Sequence, residues 1–248
     1  MRTVVFLFPG AWGNDSLERV LWWFEHQIDA LREIDPSVEI VPLVYRGRGF
    51  QEIVDGVTKD LIAYSHTNPD EVRTVALCYS MGRQVLAGTL ERLAKKPGFA
   101  CAAHIAGVPS HGVPVLGTLD IFLTAPGFLL RSFGGTVMPA DVTETDLVMC
   151  GGLNETLALQ LYTEMSPEPM WWKIARLFVP GFRVRTEPIG IPTFATLGTR
   201  DLIVGRANYE GDNIARTCRP EGCHAIIREV RPDLRTIWLD QARFLLET

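Results

Sequence analysis

Four short apolar runs separated by helical patterns constrain this chain more than any other feature. Val4–Phe8, Val38–Tyr45, Thr74–Tyr79 and Ala100–Ala106 read as strands, hydrophobic enough to be buried on both faces. After the first, Leu17, Val20, Leu21, Phe24, Ile28 and Leu31 recur at helical intervals behind an Asp15/Glu18 capping box. The Gly47-Arg48-Gly49 turn ends the second strand, and Ile53, Val54, Val57 and Leu61 then share one helix face. Val85, Leu86, Leu90 and Leu93 mark a third helix that Pro97-Gly98 stops. Repeated strand–helix–strand units require crossovers, so the expected class is α/β, a mostly parallel doubly wound sheet with helices on both faces.

Between Pro109 and Pro188 this alternation breaks. Proline, glycine and aromatics are frequent there, with helical patches around Leu153–Met165 and Trp171–Phe178. A segment this long is poorly explained as one loop and reads as a helical insertion over an edge of the sheet. The sheet pattern resumes at Pro192–Leu197, and an amphipathic helix carrying Leu234, Ile237, Trp238 and Leu245 closes the chain. The expected organisation is a core of residues 1–108 and 189–248 with residues 109–188 inserted.

Composition narrows the function. Hydrophobic residues make up 47% of the 248, enough for a packed core. The net charge is −5 and the Lys and Arg residues are scattered, which argues against a nucleic-acid partner. Val4–Phe8 is too short for a signal-peptide core or a membrane span. Five cysteines without framework spacing suggest reduced thiols and a cytoplasmic setting, although Cys218 and Cys223 are near enough to pair. The Cys and His spacing does not suit zinc, so no metal or cofactor is expected. The oligomeric state stays open.

Ser-x-Gly occurs three times, at Ser80, Ser110 and Ser132. Ser110 follows Pro109 and leads toward Pro114, and Ser132 follows Leu130-Arg131 within the insertion; only Ser80 ends an apolar strand and opens a helix. Such a turn exposes a hydroxyl at the C-terminal edge of the sheet and aims a helix N-terminus at developing negative charge. The competing role for Ser80 is a helix N-cap. Three further features favour nucleophilic chemistry. The loop Phe8-Pro9-Gly10-Ala11-Trp12-Gly13 follows the first strand, where backbone N–H groups can form an oxyanion hole. Ala11 and Met81 are the candidate donors, with Trp12 as the alternative in the loop. Asp201, in Leu197-Gly198-Thr199-Arg200-Asp201, lies past the late strand, where an Asx turn or a cap is the competing role. Of five histidines, His224 alone follows both Ser80 and Asp201. His26 in the first helix and His66 in a polar loop are expected at the surface, His104 as a satisfied core residue, and His111 against a pocket. A serine needs a base to become a nucleophile, and a histidine needs an acid to set its tautomer.

With the glycine loop, the elbow Cys78-Tyr79-Ser80-Met81-Gly82, Asp201 and His224 in this order, the chain resembles the α/β-hydrolases over nearly its whole length. The resemblance implies that fold without its first two strands, and places 109–188 where the family carries its cap. The compact form is similar to the branch of small esterases, methylesterases and hydroxynitrile lyases. Three positions depart from the pattern: Cys78 replaces a glycine, Pro9 a histidine, and Arg83 a small residue. Arg83 would lie along its helix or reach the pocket rim.

Leu116, Phe122, Leu123, Phe128, Phe133, Met165, Met170, Trp171 and Trp172 supply apolar material for cap core or cavity walls. Trp12, Tyr79, His111, Met170 and Trp171 are the candidate pocket residues, and a small apolar or aromatic molecule the expected ligand. The leading expectation is an enzyme, a serine hydrolase that cleaves a carboxylic ester, thioester or lactone through an acyl-enzyme. The alternatives on the same pocket are a C–C bond hydrolase or lyase, and a ligand receptor without turnover.

Overall fold

β1 (Arg2–Phe8) and β3 (Val72–Tyr79) form the longest pairing in the sheet, in register from Arg2↔Val72 to Phe8↔Cys78. The structure, a computed structural model, describes residues 2–47, 49–67, 72–93, 98–113, 115–132, 135–169, 184–205 and 207–248. With β2 (Glu39–Pro42), β4 (Ala102–Ile105), a fifth strand Thr193–Thr196 and a sixth Ile214–Cys218, the described residues form a six-stranded sheet. Every neighbouring pair in it is parallel.

Register explains the layering. Phe6, Ala76, Ala102 and Thr193 form one row, and Leu7, Leu77, Ala103 and Phe194 the next. Successive rows point to opposite faces. Phe6 meets Tyr64 of α3 (Phe50–Thr67) edge-on, and Phe194 meets Phe244 of the C-terminal helix Pro232–Glu247. Helices therefore cover both faces. On one, α3 packs against α4 (Gly82–Leu93); on the other, α2 (Glu25–Ile34) packs against the C-terminal helix. Val5, Leu7, Val75 and Leu77 are essentially fully buried, each contributing about 1.5–3 kcal/mol by leaving water.

Several local expectations shift. The helical pattern after β1 divides at Phe24 into α1 (Leu17–Trp23) and α2, and α1 is capped by Ser16, whose hydroxyl accepts from the Arg19 N–H. Asp15 instead pairs with Arg19 at 2.6 Å. Leu17 and Leu21 lie on the solvent side. The second strand ends at Pro42, short of the expected Tyr45; it is an edge strand, where proline is tolerated because its missing N–H faces away from β1. Beyond it the Tyr45 N–H donates to Asn14 O, which ties this segment to the glycine loop.

Between the fourth and fifth strands the chain builds α5 (Val115–Thr124), α6 (Pro126–Ser132), β5 (Thr136–Val137), α7 (Val142–Thr145), α8 (Glu155–Glu164) and β6 (Glu168–Pro169). A π-helical turn, Asp146–Cys150, follows α7, and β5 pairs with β6 antiparallel. The Leu153–Met165 expectation corresponds to α8. The Trp171–Phe178 expectation lies outside the described residues. Neither α5 nor α6 was expected; Pro126 interrupts their periodicity, and Leu123, expected in cap core or a cavity wall, is exposed, as are Leu119 and Leu130. The strands Thr193–Thr196 and Ile214–Cys218 are β7 and β8, and the C-terminal helix is α9. β8 was also unexpected, because as an edge strand with mostly exposed side chains it carries little hydrophobic signal.

Among the described residues no helix is long and apolar enough to cross a membrane, and no cluster of His, Cys, Asp and Glu is placed to hold a metal. All five cysteines are free thiols.

Candidate active site

The parallel sheet puts the ends of β1, β3, β7 and β8 at one edge, where the glycine loop, Ser80, Asp201 and His224 meet. Ser80 takes φ 49°, the left-handed region that a residue with a Cβ enters at a cost of about 1 kcal/mol. The Ser80 N–H donates to Ile105 O and the Ser80 carbonyl accepts from Val108 N–H, so the turn is held from β4. A Cβ on Gly82 would lie 2.0 Å from Phe8 O, so α4 can approach β1 only with glycine there. The other non-glycine residues with left-handed backbone among those described are Trp12 and Ala106, after β1 and β4. Backbone strain is thus concentrated at one edge of the sheet.

Cys78, two residues before Ser80, lies in a row with Phe8 and His104 and is wholly buried. Burial pushes its thiol well above the ordinary range, so it stays protonated, an inert filler beneath the turn.

Asp201 ends a turn whose Oδ1 accepts N–H bonds from Ile203 at 2.8 Å and Val204 at 2.9 Å. It is therefore an Asx-type turn, and its second oxygen is left for another partner. Asp201 Oδ2 lies 2.9 Å from His224 Nδ1, and His224 Nε2 lies 2.9 Å from Ser80 Oγ. A carboxylate only accepts, so Nδ1 carries the proton and Nε2 is free to accept from the serine hydroxyl. All three residues are nearly inaccessible: Ser80 7%, Asp201 5% and His224 1% exposed. His224 opens a 3₁₀ turn, His224–Arg228, and its ring rests against Tyr79.

The oxyanion candidates divide. The Trp12 N–H donates to Glu168 Oε1 at 3.0 Å, so the alternative donor is already engaged. Among the described residues neither the Ala11 nor the Met81 N–H has an acceptor. Gly10 carries this loop against the elbow; a Cβ there would be 3.0 Å from Ser80 Cβ.

The pocket candidates also divide. Trp12 is buried, its indole N–H donating to Val137 O at 2.9 Å. Tyr79 is buried too, stacked on Trp23 with its hydroxyl donating to His224 O at 3.2 Å. It packs against the His224 ring and holds that residue's carbonyl. His111 is exposed in the turn that opens the insertion. Met170 and Trp171 lie outside the described residues. Residues not singled out from the sequence are Asn14 and Glu168; for Glu168 the available signal was a carboxylate set between Pro167 and Pro169.

Arg83 neither lies along α4 nor reaches a rim. Its guanidinium is fully buried, paired with Asp212 and donating to Val108 O at 2.9 Å. His104 is a core residue, yet among the described residues neither ring nitrogen has a hydrogen-bond partner. Burial first, then Arg83, hold its imidazole well below 6.5. His26 is half-buried rather than at the surface, and His66 lies on α3 rather than in a loop.

No protein-family model matches the chain, and no curated protein matches its sequence. Solved structures do match. An extracellular α/β-hydrolase from a Paenibacillus species, described as sharing structural and functional homology with tobacco salicylic acid binding protein 2, is 15% identical. Its TM-score is 0.65, with 98% of this chain and 100% of that one covered. A lipase-esterase related protein from Clostridium acetobutylicum is 14% identical, with a TM-score of 0.66 over 96% and 92% of the two chains. The RedJ thioesterase from the prodiginine biosynthetic pathway of Streptomyces coelicolor is 15% identical, with a TM-score of 0.58 over 97% and 84%. At identities this low, the structural likeness shows the α/β-hydrolase fold and nothing finer.

Proposed function

We propose that this α/β-hydrolase-fold chain is a serine hydrolase that cleaves a carboxylic ester, thioester or lactone with an apolar or aromatic acyl group. The observation that carries the reading is the continuous buried path from Ser80 Oγ through the His224 ring to Asp201 Oδ2, with both links at 2.9 Å. The esterase-related and thioesterase structures that share the fold support the reaction class.

In this reading Ser80 Oγ attacks the carbonyl carbon while its proton passes to His224 Nε2. Asp201 holds the imidazole in the required tautomer and stabilises the imidazolium. The carbonyl π pair moves to oxygen, and the Ala11 and Met81 N–H groups stabilise that oxyanion. Collapse expels the alcohol or thiol with the proton from His224, leaving an acyl-Ser80 that water hydrolyses by the same route. Residues 109–188 act as the cap over the site. Five free thiols, four of them buried, suit a cytoplasmic location.

The test is an alkyl fluorophosphonate, expected to label Ser80 stoichiometrically in wild type and not in Ser80→Ala. A panel of chromogenic esters, thioesters and lactones then defines the acyl group, with Ser80→Ala or His224→Ala lowering kcat by up to about 10⁶. Absence of an adduct on intact protein overturns the acyl-enzyme. C–C cleavage without acylation would identify a lyase, and saturable binding without product a receptor.

A further inference from the structure

A carboxylate with no part in the chemistry above grips the glycine loop. Glu168 of β6 is 4% exposed, and its Oε1 accepts from the Trp12 N–H at 3.0 Å and from Asn14 Nδ2 at 2.9 Å. Asn14 Nδ2 also donates to Gly10 O at 2.7 Å. The insertion grips Trp12 at two more points: Ser166 N–H donates to Trp12 O, and the Trp12 indole donates to Val137 O.

These bonds fall on the two peptide units flanking Ala11. A trans peptide is planar, with its C=O and N–H pointing in opposite directions. The Gly10 carbonyl and the Ala11 N–H belong to one such unit, so the bond from Asn14 to Gly10 O sets the direction of the Ala11 N–H. The following unit, Ala11–Trp12, is pinned through its N–H by Glu168. Trp12 has φ 65°, a conformation with no intrinsic preference for a tryptophan, so the bonds to the insertion hold it there.

We propose that Glu168 and Asn14 are positioning residues that aim the Ala11 N–H at the reacting carbonyl oxygen, so that the insertion completes the oxyanion hole of the core. This rests on the serine-hydrolase reading. Preorganised donors act only when correctly aimed, so loosening the loop costs rate in the transition state and little in substrate binding. A single oxygen accepting from both donors is the required feature, and glutamine retains it.

Wild type, Glu168→Ala, Asn14→Ala, their double and Glu168→Gln are compared for fluorophosphonate labelling, p-nitrophenyl butyrate hydrolysis and thermal midpoint. Each alanine variant should label and turn over on the order of 10–100-fold more slowly, with KM within about threefold of wild type. The double variant should fall no further than the worse single within about threefold, because both act on the same peptide. Glu168→Gln should stay within about fivefold of wild type, as an uncharged group that keeps the acceptor. Alanine variants that label at the wild-type rate, losses carried by KM, or a Glu168→Gln as slow as Glu168→Ala each overturn the proposal. If Glu168→Ala does not fold, Asn14→Ala and Glu168→Gln decide. An unlabelled wild type overturns the hydrolase reading itself, a different outcome from wild-type labelling with unaffected variants.

Discussion

A histidine with two buried nitrogens that lack hydrogen-bond partners is stable only while neutral, and among the described residues His104 is such a residue. Its folded-state pKa lies well below the 6.5 of an exposed imidazole, lowered by burial and then by Arg83. His26 shifts the same way, through burial and Arg228. The unfolded chain therefore takes up protons that the fold refuses. The contribution of these two histidines to stability is full above pH 6.5 and is lost as pH drops below it. Thermal melts between pH 7.5 and 5.5 should show that loss, and His104→Leu should make it shallower, His26 supplying the remainder, while keeping the midpoint at pH 7.5. An unchanged slope would assign the acid sensitivity elsewhere. The sequence placed His104 in the core correctly, since apolar neighbours bracket it. That its ring would pack on Tyr209 with neither nitrogen hydrogen-bonded among the described residues was not legible, because such partners come from other elements.

At the scale of elements, α4 does more than follow Ser80. Arg83 pairs with Asp212 in full burial and donates to Val108 O and, at 3.3 Å, to Ser110 Oγ. Gln84 donates to Pro109 O at 2.8 Å, and Asp212 Oδ1 accepts from Ile189 N–H at 2.9 Å. Both chain crossings between core and insertion are thus fastened to the helix that follows the nucleophile or to its partner loop. Asp212→Ala would leave a buried guanidinium uncompensated and should cost about 3–5 kcal/mol in urea unfolding. Arg83→Met/Asp212→Leu, which removes both charges, should cost clearly less. A double variant as unstable as Asp212→Ala would argue that packing, not charge, holds this junction. From sequence Arg83 was only an unusual cation after Gly82, because its partner lies 129 positions away.

For the molecule as a whole, the site depends on loops from two strands meeting. Thr199 N–H donates to Pro220 O and Arg200 N–H to Gly222 O, which joins the Asp201 loop to the His224 loop. A Cβ on Gly198 would stand 2.3 Å from Gly222 O. Gly198→Ala should therefore spread the loops and separate Asp201 from His224. Overpacking of this kind typically costs about 1–3 kcal/mol of stability. Labelling of Ser80 should slow by at least about 100-fold, the scale of losing one well-placed catalytic group. Labelling at the wild-type rate would mean that the loops absorb the methyl. The sequence by itself determined the layered sheet, the strand-to-helix turn at Ser80 and the order of Ser80, Asp201 and His224, because apolar period, turn chemistry and residue type are local properties. Only the tertiary structure decided that Trp12 gives its N–H to Glu168, that Tyr79 packs against His224, and that Arg83 is buried. Each of those outcomes depends on a partner more than a hundred residues away, and burial leaves a polar group no water to substitute for it.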